Sequence, residues 1–236
     1  GMVSTVNALT QLMRLHQIVC GHVKLDDDRV VEVPSNRIQE LLSVIEEASD
    51  KVIIWANYRH DIDAIKLALQ KEYGMNAVGT YYGDTDDDER ARVVKEFQDP
   101  DSELRFFVGN PRTGGYGLTL TAADTVVFVE REWTPGYEEQ AEDRIRRIGA
   151  EGKDVVWATY ISAVGTIDEH FDRVIETKRE VIQGVLDGKQ NEVERANIAN
   201  EILKSMIDAG DLPESMMALV DGSAYSKPKN VIEEEE

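Results

Sequence analysis

Three polar residues in the second half of the chain have the spacing of one helix face. Gln140, Arg144 and Arg147 occupy positions i, i+4 and i+7 of a segment that follows Pro135, so at about 100° per residue they form one narrow stripe. Arginines held on a rigid helix can stabilise the charge that develops during phosphoryl transfer. A solvent-exposed helix with i, i+4 ion pairs, such as Asp143 with Arg147, is the alternative that this stripe alone leaves open.

A glycine-rich loop precedes this segment. Residues 109–124 read GNPRTGGYGLTLTAAD, with Gly114, Gly115 and Gly117 shortly after an apolar run that predicts a strand. Backbone N–H groups exposed at the carboxyl end of a parallel strand commonly bind phosphates. No Gly-Lys-Ser/Thr triplet follows, so the loop is not a Walker A motif. The glycines alone leave a phosphate loop and a plain turn both open.

Apolar runs that alternate with amphipathic segments surround these stretches. Strands are predicted at Val52–Trp55, Ala77–Tyr81, Leu104–Val108, Thr125–Val129 and Val155–Tyr160. Helices are predicted at His60–Tyr73, from a Thr85 cap to Phe97, and from a Thr134 cap to Gly149. Strands alternating with helices indicate a mostly parallel sheet with helices on both faces.

Helical segments flank this alternation. Residues 5–19, 167–186 and 191–209 have helical periodicity, and residues 22–25 and 30–33 predict a hairpin around an acidic turn. The expected organisation is a lead-in helix and hairpin at 1–34, an α/β lobe at 35–188, a helical extension at 189–222 and a disordered acidic tail at 223–236.

Composition narrows the class of protein. The 236 residues include 26 Lys and Arg against 46 Asp and Glu, a formal net charge of −20. This acidity argues against non-specific nucleic-acid binding, because Lys and Arg bind phosphates. No apolar run approaches the roughly 18 residues of a membrane helix. The single cysteine, Cys20, excludes an internal disulfide and is typical of a reducing compartment.

Potential metal ligands lie close together at His16, Cys20 and His22. A closed structural zinc site has four ligands, and no fourth is evident in this stretch, so no metal site is predicted. His60 and His170 likewise have no evident nucleophile partner in the sequence. These residues are therefore expected to be structural.

The glycine loop and the arginine segment are more specific together than apart. TGGYGLTLTAADTVVF, then EWTP, then EQAEDRIRRIG closely resemble motifs V and VI of superfamily 2 helicases, and among these the Swi/Snf-type ATPases. The resemblance continues in the same order through LHQIVCGH at 15–22, KVIIWANY at 51–58, YGDT at 82–85 and GTIDE at 165–169. Three residues depart from the family pattern: Thr113 replaces Ala, Thr119 replaces Asn, and Ala150 replaces Gln.

This resemblance implies a RecA-like three-layer α/β/α fold with a mostly parallel sheet and a helical C-terminal extension. It also implies the second motor lobe of an ATP-dependent DNA translocase. In the family the first lobe holds ATP and Mg²⁺, and the second lobe supplies motif VI arginines across the cleft. Neither GxxxxGK[ST] nor D-E-x-H occurs in the sequence, so the chain alone is expected to hydrolyse essentially no ATP.

Matching positions carry the family's roles onto individual residues. Arg147 is the expected arginine finger, Arg144 its partner, and Gln140 orients the cleft. Gly115 and Gly117 are expected to let the nucleotide or the opposing lobe approach closely. Contacts with the DNA backbone are expected from four residues with amide, hydroxyl or guanidinium groups: Asn57, Thr85, Arg112 and Thr121.

The implied partners are duplex DNA, bound weakly by this lobe alone, and a first RecA-like lobe in the same chain or in another subunit. No membrane partner is expected, and a cytoplasmic prokaryotic or phage protein is favoured over a nuclear one. Two alternatives stay open: a non-catalytic RecA-like scaffold that binds DNA or a protein, and an RNA helicase or restriction-enzyme motor. The Gln140, Arg144 and Arg147 stripe argues against the scaffold, and the TAAD and WTP stretches favour the Swi/Snf group.

Overall fold

The computed structural model describes residues 2–48, 50–114, 118–142, 157–182, 191–213 and 216–217. Its helices are α1 Met2–Cys20, α2 Arg37–Glu46, α3 Arg59–Tyr73, α4 Asp87–Gln98, α5 Pro111–Gly114, α6 Pro135–Glu142, α7 Ile167–Ile182 and α8 Asn191–Ala209. Its strands are β1 His22–Lys24, β2 Val30–Glu32, β3 Lys51–Trp55, β4 Val78–Tyr81, β5 Phe106–Gly109, β6 Ala123–Phe128 and β7 Trp157–Tyr160.

Strands β3 to β7 form one parallel sheet in the order β4-β5-β3-β6-β7. β3 lies at its centre, where Ile53 pairs with Phe107 on one side and with Val126 on the other. β1 and β2 form a separate antiparallel hairpin. The predicted parallel sheet and the predicted hairpin are therefore confirmed, with small shifts at the strand ends.

Residues of β3 alternate between the two faces of the sheet. Val52 and Ile54 belong to a core shared with α2 and α3, whereas Ile53 and Trp55 pack in a second core with α4 and with Ala141 of α6. Because helices cover both faces, the whole strand is buried, which explains the continuous apolar run Val52–Trp55. The lobe thus has the predicted three-layer α/β/α architecture.

The start of α4 differs from its prediction by one residue. Asp86 is the N-cap, and its side chain accepts the N–H of Asp88 at 3.0 Å. Thr85, the predicted cap, instead accepts the N–H of Tyr82 at 3.1 Å and closes the turn after β4. The prediction of Thr85 as cap was wrong, because Asp and Thr are both favoured caps and only the turn geometry separates them.

Several predicted segments lie partly or wholly outside the described residues. The helix predicted to end at Gly149 is described as far as Glu142, and the helix predicted to reach Leu186 as far as Ile182. The predicted tail at 223–236 lies entirely outside them. Among the described helices, none combines the length and apolar character needed to cross a bilayer.

The lead-in helix packs on the C-terminal helices in a third core. Leu12 of α1 contributes to this cluster with Phe171 and Ile175 of α7 and with Ile202 of α8. Trp133, in the segment that follows β6, belongs to the same cluster. These helices therefore form one packed unit that is attached to the lobe next to the end of β6.

A buried histidine lies within this unit. His16 of α1 is fully buried, with its Nδ1 atom 2.8 Å from the hydroxyl oxygen of Tyr58. Its ring stacks on Phe171 with centroids 4.7 Å apart. Burial lowers the pKa of His16 to about 4, so the imidazole is neutral in the folded chain at neutral pH.

We predict that the chain loses stability as the pH falls from 6.5 towards 4. Over this interval the unfolded chain binds a proton at His16 and the folded chain does not, so stability falls with falling pH. The loss should be about 2 kcal/mol between pH 6.5 and pH 5. Urea unfolding at a series of pH values should show a smaller decline for His16→Gln. Parallel declines in both proteins would contradict this role of His16.

Candidate functional site at the carboxyl edge of the sheet

Polar residues follow the three central strands of the sheet, at the edge where their carboxyl ends meet. Asn57 follows β3, Asn110 follows β5, and residues 130–132 follow β6. The Asn110 side-chain amide donates to the Asn57 carbonyl, and the Asn57 side-chain amide donates to the Arg131 carbonyl, each at 2.9 Å. This carboxyl edge is therefore held together by side chains beyond the end of the strand pairing.

Glu130 joins the ends of β3 and β6. Its Oε1 atom accepts the backbone N–H groups of Asn57 and Tyr58, and the residue is 2% exposed. Burial, and then the charge of Asp61, raises the pKa of Glu130 to about 8, while the two N–H donors oppose this shift. At neutral pH the folded chain therefore keeps this carboxyl largely protonated.

Arg112, a predicted DNA contact, pairs with Glu132 through two hydrogen bonds. Its Nε and Nη2 atoms donate to the two carboxylate oxygens of Glu132 at 3.0 and 2.5 Å. Burial raises the pKa of Glu132, and Arg112 opposes that shift. The Glu132 side chain is 1% exposed and that of Arg112 is 35% exposed, so the pair anchors a guanidinium group at the surface of the edge.

Arg131 fixes the start of α6 and was not singled out by its sequence. Its Nε atom lies 3.2 Å from Oε1 of Glu138 in α6, and its Nη2 atom lies 2.8 Å from Oε1 of Glu176 in α7. Glu138 also accepts the backbone N–H of Glu132 at 2.7 Å. The sequence signal for such a network is an arginine between two glutamates, Glu130 and Glu132, at the end of a strand. That signal does not identify the partners Glu138 and Glu176, because they lie elsewhere in the sequence.

The residues predicted for catalysis and nucleotide binding are described only in part. Gln140 lies in α6 and is partly buried. Its Oε1 atom is buried without a hydrogen-bond partner among the described residues. Arg144, Arg147, Gly115 and Gly117 lie outside the described residues. The predicted stripe therefore remains a prediction beyond its first member.

The four predicted DNA contacts do not all lie together. Asn57 and Arg112 are linked through Asn110, whose Oδ1 accepts the Arg112 N–H at 2.9 Å, and Thr85 follows β4 at the same edge. Thr121 instead precedes β6 and accepts a hydrogen bond from Gln98 at 3.3 Å. The structure thus places Thr121 at the amino edge of the sheet, opposite the other three.

The described part of the carboxyl edge suits binding more than chemistry. Asn57 and Arg112 provide amide and guanidinium groups, which commonly contact phosphate oxygens. The carboxyl groups of Glu130 and Glu132 are engaged by backbone N–H groups and by Arg112, so they do not fit the role of ligands to a Mg²⁺–triphosphate. Behind the edge, two groups of side chains have metal-ligand spacing: His22 with His60 and Asp61, and Cys20 with Asp61 and Glu130.

Comparisons with known proteins agree with this architecture. The family model of the helicase conserved C-terminal domain matches residues 35–149. The chain is 28% identical over 174 residues to the probable ATP-dependent DNA helicase CHR23 of Arabidopsis thaliana, which covers 73% of this chain and 16% of that protein. The chain spans less than a fifth of the length of such curated relatives.

Two solved structures from Sulfolobus solfataricus are similar to the chain. The SWI2/SNF2 ATPase core in complex with dsDNA has a TM-score of 0.61 and 27% identity, covering 93% of this chain and 42% of that one. The SWI2/SNF2 ATPase C-terminal domain has a TM-score of 0.56 and 25% identity, covering 80% and 76%. These similar proteins come from a plant and from an archaeon, that is, from a eukaryote and a prokaryote, so they do not support the predicted prokaryotic or phage origin over a nuclear one.

The parallel sheet, the polar carboxyl edge and the order of the motifs all agree with these matches. Residues 35–149 therefore form a helicase conserved C-terminal domain, and the chain is the C-terminal lobe of a Swi/Snf-type superfamily 2 helicase.

Proposed function

We propose that this chain is the second motor lobe of an ATP-dependent DNA translocase. In this role Arg147 and Arg144 act on ATP that a first lobe holds, and Gln140 orients the cleft between the lobes. The observation that carries the proposal is the position of α6. It begins directly after the carboxyl edge, where nucleotides bind to open α/β sheets, and it contains the first residue of the motif VI stripe.

The contacts of Arg131 support this placement. They tie the first turn of α6 to α7, and the Arg131 guanidinium also lies 4.3 Å from the ring centre of Tyr160 on β7. A helix anchored in this way holds Gln140 with little freedom, as transition-state stabilisation requires. If the helix continues to Gly149 as predicted, Arg144 and Arg147 follow Gln140 along the same face.

ATP and Mg²⁺ would be bound mainly by the first lobe, since this sequence contains no Walker motifs. When bound there, the nucleotide supplies the γ-phosphate whose transfer releases free energy. This chain's arginines would offset the negative charge that develops on that group. Gly115 and Gly117 would allow the nucleotide or the opposing lobe to come close. The chain alone would accordingly hydrolyse essentially no ATP.

In a protein that contains both lobes, Arg147→Ala should lower ATP turnover by about 10³-fold, as removal of an arginine finger does elsewhere. Arg146→Ala is the matched control, because it removes the same side chain at the neighbouring position outside the predicted stripe. Steady-state ATP hydrolysis in the presence of duplex DNA is the measurement. Near-normal turnover in Arg147→Ala, or an equal loss in Arg146→Ala, would reject the finger assignment.

In the proposed function, this lobe also contacts the DNA backbone through four residues: Asn57, Thr85, Arg112 and Thr121. The first three lie at the carboxyl edge, so one stretch of duplex could reach them together. Thr121 would need a second stretch of backbone, because it lies at the amino edge. With a net charge of −20, the chain alone should bind duplex more weakly than micromolar at physiological salt.

Removing the Arg112 charge in the two-lobe protein should weaken duplex binding. Arg112→Gln is expected to reduce the slope of log affinity against log salt by about 0.9, the value for one phosphate contact. Arg105→Gln is the control: this arginine donates to the carbonyls of Ala48 and Asp50 at the amino edge. Fluorescence anisotropy at several salt concentrations measures both slopes. Equal changes in the two variants would contradict the Arg112 contact.

A further inference from the structure

Two histidines and an aspartate come together where the lead-in hairpin meets the lobe. His22 lies in β1, and His60 and Asp61 lie in the first turn of α3. One ligand atom of each residue lies within 4.8 Å of the other two. Nδ1 of His22 is 2.9 Å from Oδ1 of Asp61, and Nδ1 of His60 is 3.3 Å from the same oxygen.

His60 Nδ1 and Asp61 Oδ1 form a hydrogen bond, but two other buried atoms of the cluster have no such partner in the described part of the chain. His22 is 2% exposed and Asp61 is 7% exposed, yet His22 Nδ1 and Asp61 Oδ2 both lack a hydrogen-bond partner there. His22 Nδ1 lies close to Oδ1 of Asp61, but the angles between the two groups do not meet the geometry of a hydrogen bond. Buried polar atoms are nearly always paired, so this arrangement needs another explanation.

A shared metal ion explains both the short distances and the missing hydrogen bond at His22 Nδ1. Two ligand atoms that each lie about 2.0–2.1 Å from one tetrahedral ion are about 3.3 Å apart. Their lone pairs then point at the ion and not at each other. Both measured nitrogen–oxygen distances, 2.9 and 3.3 Å, are near this value.

We propose that His22, His60 and Asp61 bind a divalent transition-metal ion of the zinc type. Two imidazole nitrogens and one carboxylate oxygen form a common three-ligand set for zinc, in which water takes the fourth position. Nitrogen ligands select transition metals over Mg²⁺ and Ca²⁺, which prefer oxygen. The site goes beyond the proposed motor function, because it requires neither ATP nor DNA.

A cavity gives access to these ligands. A cavity of about 220 Å³ is lined by His60 and Asp61 and also by Cys20, so an ion and its water ligand can reach the site. His60 is the most accessible of the three ligands, with 30% of its side chain exposed. Glu130 and Cys20 lie within 4.8 Å of the Asp61 carboxylate, but burial raises the pKa of both groups, so they add little negative charge at neutral pH.

The nearby cation does not already fill this role. Arg37 also lines the cavity, but its guanidinium donates to Asp168 and to the carbonyls of Val129 and Ile161. Among the described residues, no lysine or arginine forms an ion pair with Asp61; its partners there are the two imidazoles. A divalent ion would supply that missing positive charge.

The ion would connect parts of the chain that are distant in sequence. His22 belongs to the hairpin that precedes the lobe, whereas His60 and Asp61 begin the helix after the central strand. Because an assembled site does not exist in the unfolded chain, metal binding stabilises the folded one. The sequence did not predict the site, because His22 is distant in sequence from His60 and Asp61. Of the group His16, Cys20 and His22 considered from the sequence, His16 bonds to Tyr58 instead.

Zinc titration of the untagged, chelator-stripped chain tests the proposal. One Zn²⁺ should bind per chain in competition with a metal indicator. Thermal unfolding at a free Zn²⁺ concentration 100-fold above the dissociation constant should shift upward by about 5–10 °C. Substitution with Co²⁺ should give the visible absorption of a four-coordinate nitrogen–oxygen site.

Two variants and one control separate this site from unspecific binding. His60→Gln changes a partly exposed side chain and Asp61→Asn keeps the shape of a buried one, and each should abolish both stoichiometric binding and the thermal shift. His170→Gln should retain both, because His170 bonds to Ser205 and lies near Asp211, away from the site. Retained binding in the first two variants, equal loss in the control, or no stoichiometric binding by the unmodified chain would overturn the proposal.

Discussion

At the carboxyl edge of the sheet, backbone N–H and C=O groups are buried but no longer pair with a neighbouring strand. Side chains must therefore provide their hydrogen bonds. Arg37 donates to the carbonyls of Val129 and Ile161 and pairs with Asp168, and Glu130 accepts the N–H groups that follow β3. Because these side chains come from α2, α7 and the end of β6, the edge forms only when lobe and helices are assembled. The same contacts fix the position of Asn57 and the start of α6, on which the proposed chemistry depends.

Much of the lobe could be predicted from local patterns, and most of the edge could not. The apolar run at Val52–Trp55 indicates a buried strand because both of its faces are covered, and the glycine loop with the arginine segment identifies the family. The role of Arg131 depends on Glu138 and Glu176, which no spacing rule connects to it. Likewise, the position of Thr121 at the amino edge follows from the path of the chain before β6 and not from its motif.

The contacts within the fold explain the positions of several charged residues that contribute to the net charge of −20. Arg37 and Arg131 are buried and paired with carboxylates inside the fold, so these basic groups hold the edge together. Acidic residues 87–89 occupy the first turn of α4, where the helix dipole favours negative charge. The acidity therefore reflects how this lobe is built. Under the proposed function, a first lobe would supply much of the positive groove for DNA.

Under the proposed function, this chain carries one half of an ATPase site. Steady-state ATP hydrolysis should be measured for the chain alone and for the chain joined to a first lobe, each with and without duplex DNA. We expect no turnover above background for the chain alone and DNA-stimulated turnover for the joined lobes. Robust hydrolysis by the chain alone, or none by the joined lobes, would contradict it.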